Sequence, residues 1–323
     1  MVRVVIISIF AATLLFSGII FWGIAAHRGN GPLDGYVRLV IPRGASLAEV
    51  ATQLQLAEII RHPTLFILAA YLNDLTIKAG EFDFTAHMSA ANVLRRLDDG
   101  KTVVRRLTVP EGLLNSDVVH LLENATGLDG ILSIQFVEGT LFPDTYHYSY
   151  GDSRDDVARR MAQAMQEVLY ELWPHRLSGL PIETQYEAVI LASIVEKETA
   201  VAEERPRVAA VFLNRLRKNM RLQSDSTVAY ALTRTGNSSG TPLTRHDLQV
   251  DSPFNTYRYA GLPPEPISNP GRAAIEAVLR PLETDEIFFV ADGSGGHAFA
   301  RTLEEHNRNV ARWRAFQNFL KVE

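Results

Sequence analysis

Cysteine is absent from all 323 residues, which removes disulfides, thiolate metal sites, redox pairs and a cysteine nucleophile. A basic excess is missing too: 32 Lys and Arg face 37 Asp and Glu, for a formal net charge of −5. That balance gives no electrostatic footprint for nucleic acid, so none is expected as a partner. The nine histidines form no His-Glu-x-x-His or other metal-spaced cluster, and neither a metal nor a cofactor is expected. No Gly-x-Ser-x-Gly elbow marks a serine hydrolase. With 46% hydrophobic and 21% charged residues, the composition is that of a folded protein. At about 150 residues per domain, the length allows two domains with real cores.

What is present begins with an uncharged apolar run from Val4 to Ala26, bounded by Arg3 and by His27-Arg28. It is long enough to cross a hydrocarbon core with some tilt. Phe21 and Trp22 sit near its outer end, where aromatics favour the interface. A cleaved signal peptide is the alternative, with Gly23 and Ala25 before the cut, but the run exceeds the usual ~7–15-residue signal core. Arg3 and Arg28 nearly balance, so flanking charge alone orients the helix poorly. The expected order is a tail at 1–3, a transmembrane helix at 4–26 and a Gly/Pro-rich linker at 27–35, with the rest on the far side.

Beyond the linker, YVRLVI alternates as a strand with Val37, Leu39 and Ile41 on one face. Ser46 and Glu49 form a capping box into a helix carrying Leu47, Val50, Ala51 and Leu54. A second short helix holds Leu65, Phe66, Ala69 and Tyr71. IKAGEFDFTA reads as a hairpin or extended pair, and Ser89 caps a helix with Val93, Leu94 and Leu97. A weak internal echo links LVIPRGASLAEVATQL, from Leu39, with LTVPEGLLNSDVVHLL, from Leu107. Pro42 matches Pro110, Gly44 matches Gly112, Val50 matches Val118 and Leu54 matches Leu122. Two copies are too few for a solenoid. A recurring strand–turn–helix unit is preferred over duplicated binding modules.

FVEGTLFPDTYHYSYGD reads as loop or strand edge, and a long amphipathic helix then runs to Trp173, stopped by Pro174. Thr184 and Glu187 form another capping box. The helix they open, TQYEAVILASIVEKETA, is apolar on every side from Ala188 to Val195, the pattern of a buried helix. At ~100° per residue Glu187 and Glu198 share an azimuth that reaches solvent at the two ends, and Glu196 lies about 160° from Glu198. Glu196 thus falls beside Ala192 and Ser193, whose small side chains leave room for something to approach. Loss of solvation there favours the protonated acid. Raising a Glu from ~4.3 to ~6–7 takes roughly 3 kcal/mol of differential environment, the range of glycosidase acids. A buried ion pair of Glu196 with Arg205 or Arg215 stays open as the structural alternative. GSGG after Asp292 joins IFFVAD to HAFA and reads as a hairpin turn, not a phosphate loop.

Taken in order, LASIVEKETAVAEER, VFLNRL, MRLQSDSTVAY, FNTY, GLPPEPISNPG and FFVADGSGGHAFARTLEEHN resemble the endolytic murein transglycosylases. FVEGTLFPDTY and the IKAGEF…LDDGK segment match as well. The resemblance implies an α+β architecture: an N-terminal transmembrane helix, a small LysM-like β-α-α-β module over 36–108, and a larger mixed α/β catalytic domain over 109–323. It implies an inner-membrane protein, N-terminus cytoplasmic and catalytic domain periplasmic, that cuts within nascent peptidoglycan glycan strands and ends their elongation. Glycan strands and the inner membrane are then its partners, and peptidoglycan synthases are candidate ones. The family's catalytic glutamate, the first of I-V-E-K-E, maps onto Glu196. Ser226 departs from the proline the family usually has after the aspartate.

On that reading Glu196 protonates the oxygen between N-acetylmuramic acid and N-acetylglucosamine, and its carboxylate then takes the muramic C6 hydroxyl proton as a 1,6-anhydro ring closes. Gln223, Asp225, Asn255 and Tyr257 are the candidate substrate-binding residues. Two alternatives stand beside it. One is a hydrolytic muramidase pairing Glu196 with Asp225 or Glu138. The other is a non-catalytic membrane-anchored scaffold that binds peptidoglycan.

Overall fold

The structure is a computed structural model that describes residues 2–236 and 243–320. Met1 of the expected tail and residues 321–323 of the expected catalytic domain lie outside the described residues, as do 237–242. The first helix, α1 (Val2–Arg28), is long and apolar enough to cross a membrane, and none of its apolar window is buried within the protein.

Compactness divides the chain into two units. The first holds Met1–Arg105 with Gly127–Asp129 and His147–Asp152. After α1 it contains β1 (Val37–Ile41), α2 (Leu47–Leu56), α3 (Pro63–Leu72), β2 (Gly80–Phe84) and α4 (Ala90–Asp99). β1 and β2 pair antiparallel, with Leu39 opposite Phe82 and Ile41 opposite Gly80. IKAGEFDFTA therefore forms one strand that pairs back to β1, not a hairpin on itself. The reason is burial: Phe82 and Phe84 join Phe66, Leu54 and Leu97 in a core closed to water, each large side chain contributing about 1.5–3 kcal/mol. Both caps form as their sequences indicate, with Ser46 and Glu49 exchanging bonds and Ser89 accepting from the Asn92 N–H. The expected linker is tied in as well. Gly31 donates to the His87 carbonyl, His87 donates to that of Leu33, and Leu33 is buried.

The second unit comprises Arg106–Thr126, Gly130–Tyr146 and Ser153–Glu323. Its elements are most of β3 (Val104–Thr108), α5 (Asn115–Asn124), part of β4 (Thr145–Ser149), α6 (Arg154–Leu172), α7 (Gln185–Glu198), α8 (Arg205–Arg217), α9 (Asp225–Arg234), α10 (Arg272–Leu279), β5 (Phe288–Ala291), β6 (His297–Ala300) and α11 (Leu303–Leu320). β3 pairs with β4, and the division between the units falls inside both strands. Pro174 ends α6 in a short 3-10 turn. Thr184 and Glu187 cap α7 reciprocally, and every residue from Ala188 to Val195 is buried. Neighbouring α8 and α10 pack against that helix. GSGG is a hairpin turn: β5 and β6 pair antiparallel, and Asp292 donates to the Gly296 carbonyl.

The internal echo is a structural repeat. α2 and α5 are both ten residues long and start at matching offsets. Gly44 and Gly112 both take the left-handed conformation, at φ +80° and +77°, where a side chain would be strained. Val50, Leu54, Val118 and Leu122 are all fully buried. Leu54→Ala and Leu122→Ala should each lower the unfolding free energy by about 2–5 kcal/mol in urea titrations, the usual cost of a cavity in a closed core. An undiminished value at either position would show that the repeat is not an anchor of its unit.

Candidate active site

Glu196 stands in the last turn of α7 with its side chain only 6% exposed. One carboxyl oxygen accepts from the Gly271 N–H at 2.9 Å, and the other from the Arg205 Nη2 at 3.2 Å. Arg205, the first residue of α8, also reaches Glu111 Oε2 at 3.5 Å, while its buried Nε has no protein partner. The guanidinium is thus shared between two carboxylates and forks onto neither. Of the two arginines suggested by sequence, Arg205 is the partner. Arg215 is spent on the carbonyls of Ile287 and Leu222. Burial holds the Glu196 carboxyl above the ordinary carboxylate range, and the charge of Glu111 adds to the effect. The Gly271 N–H and Arg205 oppose the rise without cancelling it. The result is an acid that keeps its proton longer than an exposed glutamate, with two donors waiting for the charge it leaves.

The second copy of the repeat delivers Glu111. Its Pro110-Glu111-Gly112 turn is clamped by Asn269, whose carbonyl accepts from Gly112 at 2.8 Å. The Asn269 side chain is fully buried and fully used. Its oxygen accepts from the Leu141 N–H, and its amide donates to the Leu113 carbonyl and to Asn115 Oδ1, all within 3.0 Å. Two residues on, Gly271 meets both Glu196 and Glu111. A β-carbon there would fall 1.8 Å from Glu111 Oε1, so any other residue would push the Glu111 side chain from its present place. Sequence reading missed Glu111, Asn269 and Gly271 as individuals. The available signal was the echo itself, because Glu111 replaces Arg43 at the variable position of a shared turn.

The small residues beside Glu196 do not leave an open approach. Ser193 Oγ accepts from the Ile267 N–H at 2.9 Å and donates to the Ile190 carbonyl, while Ser268 Oγ donates to the Ser193 carbonyl. The chain's own Ile267–Ser268 segment fills that space, so a ligand must approach Glu196 from another side.

Glu198 likewise departs from expectation. It does not reach solvent: its carboxyl turns inward and accepts from the hydroxyls of Ser224 and Ser226. Burial raises its pKa, the two hydroxyls resist, and Asp225 adds to the rise. The azimuth of α7 carried no information about the start of α9, which comes back over this end of the helix.

Gln223 and Asp225 are exposed, at the entry to α9. Gln223 takes φ +49° and donates its N–H to the Thr256 carbonyl. Asp225 accepts from the Tyr257 hydroxyl at 2.6 Å. These three residues share one surface, knitted by Thr227 and Thr256. Asn255 is not on it. Its amide donates to the carbonyls of Leu248 and Val250, its oxygen accepts from the Tyr257 N–H, and none of it is exposed. Asn255 therefore shapes the loop that presents Tyr257. Glu138 accepts from the Asn115 N–H at 2.8 Å, at the start of α5.

Native Glu198 binds its proton more tightly than the unfolded chain does. Its contribution therefore declines as pH rises from the ordinary 4.5 through the raised folded value. Glu198→Gln removes that decline, so the melting temperature of the variant relative to wild type should climb with pH in calorimetry over about pH 4–8. A difference independent of pH would exclude a titrating buried acid here.

Known proteins share this arrangement of segments. The signature of the YceG-like family matches residues 39–312. A protein named endolytic murein transglycosylase from Streptococcus pneumoniae R6 is 30% identical over 329 residues, covering 87% of this chain and 59% of that protein. One of the same name from Bacillus subtilis 168 is 29% identical over 315 residues, covering 87% and 86%. The chain thus spans under two thirds of the streptococcal protein and most of the Bacillus one. The crystal structure of a yceG-like protein from Listeria monocytogenes superposes with a TM-score of 0.52 at 29% identity, covering 84% of this chain and 98% of that one. The chain belongs to the YceG-like family.

Proposed function

We propose that this chain is a lytic transglycosylase that cuts inside peptidoglycan glycan strands, with Glu196 as its acid and base. The observation that carries the reading is the buried Glu196 carboxyl, with a raised pKa and the Gly271 N–H and Arg205 against its two oxygens. The names of the streptococcal and Bacillus relatives support it. Protonated Glu196 donates to the oxygen between N-acetylmuramic acid and N-acetylglucosamine, and the C1–O bond opens to an oxocarbenium-like state. The carboxylate left behind is stabilised by Gly271 and Arg205. It then takes the proton of the muramic C6 hydroxyl as that oxygen closes on C1, which restores the acid and leaves a 1,6-anhydro end. No water enters, so one carboxyl serves both steps. Gln223, Asp225 and Tyr257 contact the glycan, and Asn255 holds their loop.

In this reading α1 anchors the chain in the inner membrane with its N-terminus cytoplasmic. Both units then face the periplasm, and the β1-α2-α3-β2 segment acts as a LysM-like glycan-binding module. Cleavage of nascent strands ends their elongation beside the peptidoglycan synthases. One observation favours a second reading: Glu111 gives Glu196 a neighbouring carboxylate, as a hydrolytic muramidase would use. A hydrolase adds water to its products, and mass spectrometry of released fragments separates the two reactions.

Glu196→Gln should reduce release of anhydro-ended fragments by about 100-fold or more, the scale of a lost general acid, with the circular dichroism spectrum retained. Release at the wild-type rate would overturn the assignment. Since Glu196 must be protonated to act, activity falls as pH rises through its pKa. Glu111→Gln removes a neighbouring negative charge and lowers that pKa. The alkaline limb of the rate profile should therefore move to lower pH, and an unmoved limb would show that Glu111 does not act on Glu196.

A further inference from the structure

α3 is charge-free along its whole length, PTLFILAAYL, yet only Phe66 and Ala70 are buried. At ~100° per residue, Thr64, Leu68, Tyr71 and Leu72 share one side of the helix. Leu68 is 53% exposed, Tyr71 74% and Leu72 75%, and the neighbouring Leu56, the last residue of α2, is 80% exposed. So much apolar surface on one short helix calls for a partner.

The position of α3 relative to α1 identifies that partner. The His62 ring meets the Trp22 ring edge-on at 5.3 Å. Leu65 Cδ2 lies 3.9 Å from where a β-carbon on Gly23 would stand. Both contacts fall at the Trp22–Gly23 end of the apolar helix, where a spanning segment emerges from the hydrocarbon. A cavity of about 510 Å³ opens there between Trp22, Gly31, His62 and Leu65, with Arg61 in its lining, and Arg28 at the end of α1 is exposed. α3 has no polar face of its own, its other side being buried through Phe66 and Ala70. What points its exposed apolar side, with Tyr71 on it, to the bilayer is its contact with the end of α1.

We propose that α3 is a second membrane contact, its exposed face seated in the headgroup and upper acyl layer of the bilayer that α1 crosses. The inference rests on the anchor reading of α1. It gives the first unit a fixed stance on the membrane in place of a free tether.

Because the chain has no cysteine, single-cysteine variants of the full chain take one spin label each. Thr13→Cys reports on α1, Leu68→Cys and Leu72→Cys on α3, and Ile131→Cys, at a site 85% exposed, on water. In phosphatidylglycerol-containing nanodiscs, the ratio of oxygen to nickel-chelate accessibility at Leu68 and Leu72 should stand several-fold above that at Ile131. Ratios at Leu68 and Leu72 equal to that at Ile131, with Thr13 still shielded from nickel, would overturn the inference and leave the anchor intact. A water-like ratio at Thr13 would overturn both. Spin–spin broadening at Leu72 would assign the face to a second copy of the chain and overturn the lipid contact.

Discussion

The site depends on one fully buried amide. Asn269 holds the turn that carries Glu111 and the backbone at Leu141, and it fixes the course of the chain into Gly271. Its oxygen and both amide hydrogens are occupied, which is the condition for burying such a group without loss. An unsatisfied buried donor or acceptor costs about 1–3 kcal/mol. A shorter or apolar side chain would strand several partners at once, among them the Leu141 N–H. The Gly271 N–H that meets Glu196 lies two residues beyond this junction.

Around Glu196 the two protonation states are served by different groups. Burial and Glu111 favour the proton, whereas the Gly271 N–H and Arg205 favour the charge. A single strong fork from Arg205 would have tipped the balance, locking the carboxylate as an ordinary buried ion pair. Sharing the guanidinium with Glu111 prevents that.

Local patterns were legible in the sequence, and long-range convergence was not. The capping boxes at Ser46 and Thr184, the all-apolar stretch of α7, the hairpin at GSGG and the strand–turn–helix echo each follow from residues a few positions apart, and the structure bears them out. Glu196 is singled out in the sequence by its azimuth beside Ala192 and Ser193 and by the resemblance of IVEKE. The azimuth does not hold as a reason, because Glu198 is buried too and Ile267–Ser268 fill the space at Ser193. The surroundings of Glu196 were hidden, since Glu111 and Gly271 lie far from it along the chain. The same distance explains the misreadings. Nothing local to Ser193 announces that Ile267 fills the space beside it, and nothing in IKAGEFDFTA, read as a hairpin or extended pair, announces that its partner is β1, some forty residues earlier.

Glu198 shows what Ser226 contributes to this architecture. Ser226 is the second residue of α9, in the first turn, where backbone N–H groups have no partner inside the helix. Proline at such a position loses no hydrogen bond and meets no preceding turn, so the backbone accepts either residue. The side chains do not substitute for one another. Serine supplies a hydroxyl at 3.0 Å from a Glu198 carboxyl that Ser224 already serves, and the two hydroxyls also meet each other at 2.7 Å. A buried carboxyl with two donors tolerates its charge better than one with a single donor. Because Asp225, the neighbour of Ser226, accepts from Tyr257, the protonation state of Glu198 bears on the surface that carries Gln223, Asp225 and Tyr257. Ser226 thus bears on that surface through the charge of Glu198 and not through the course of the backbone.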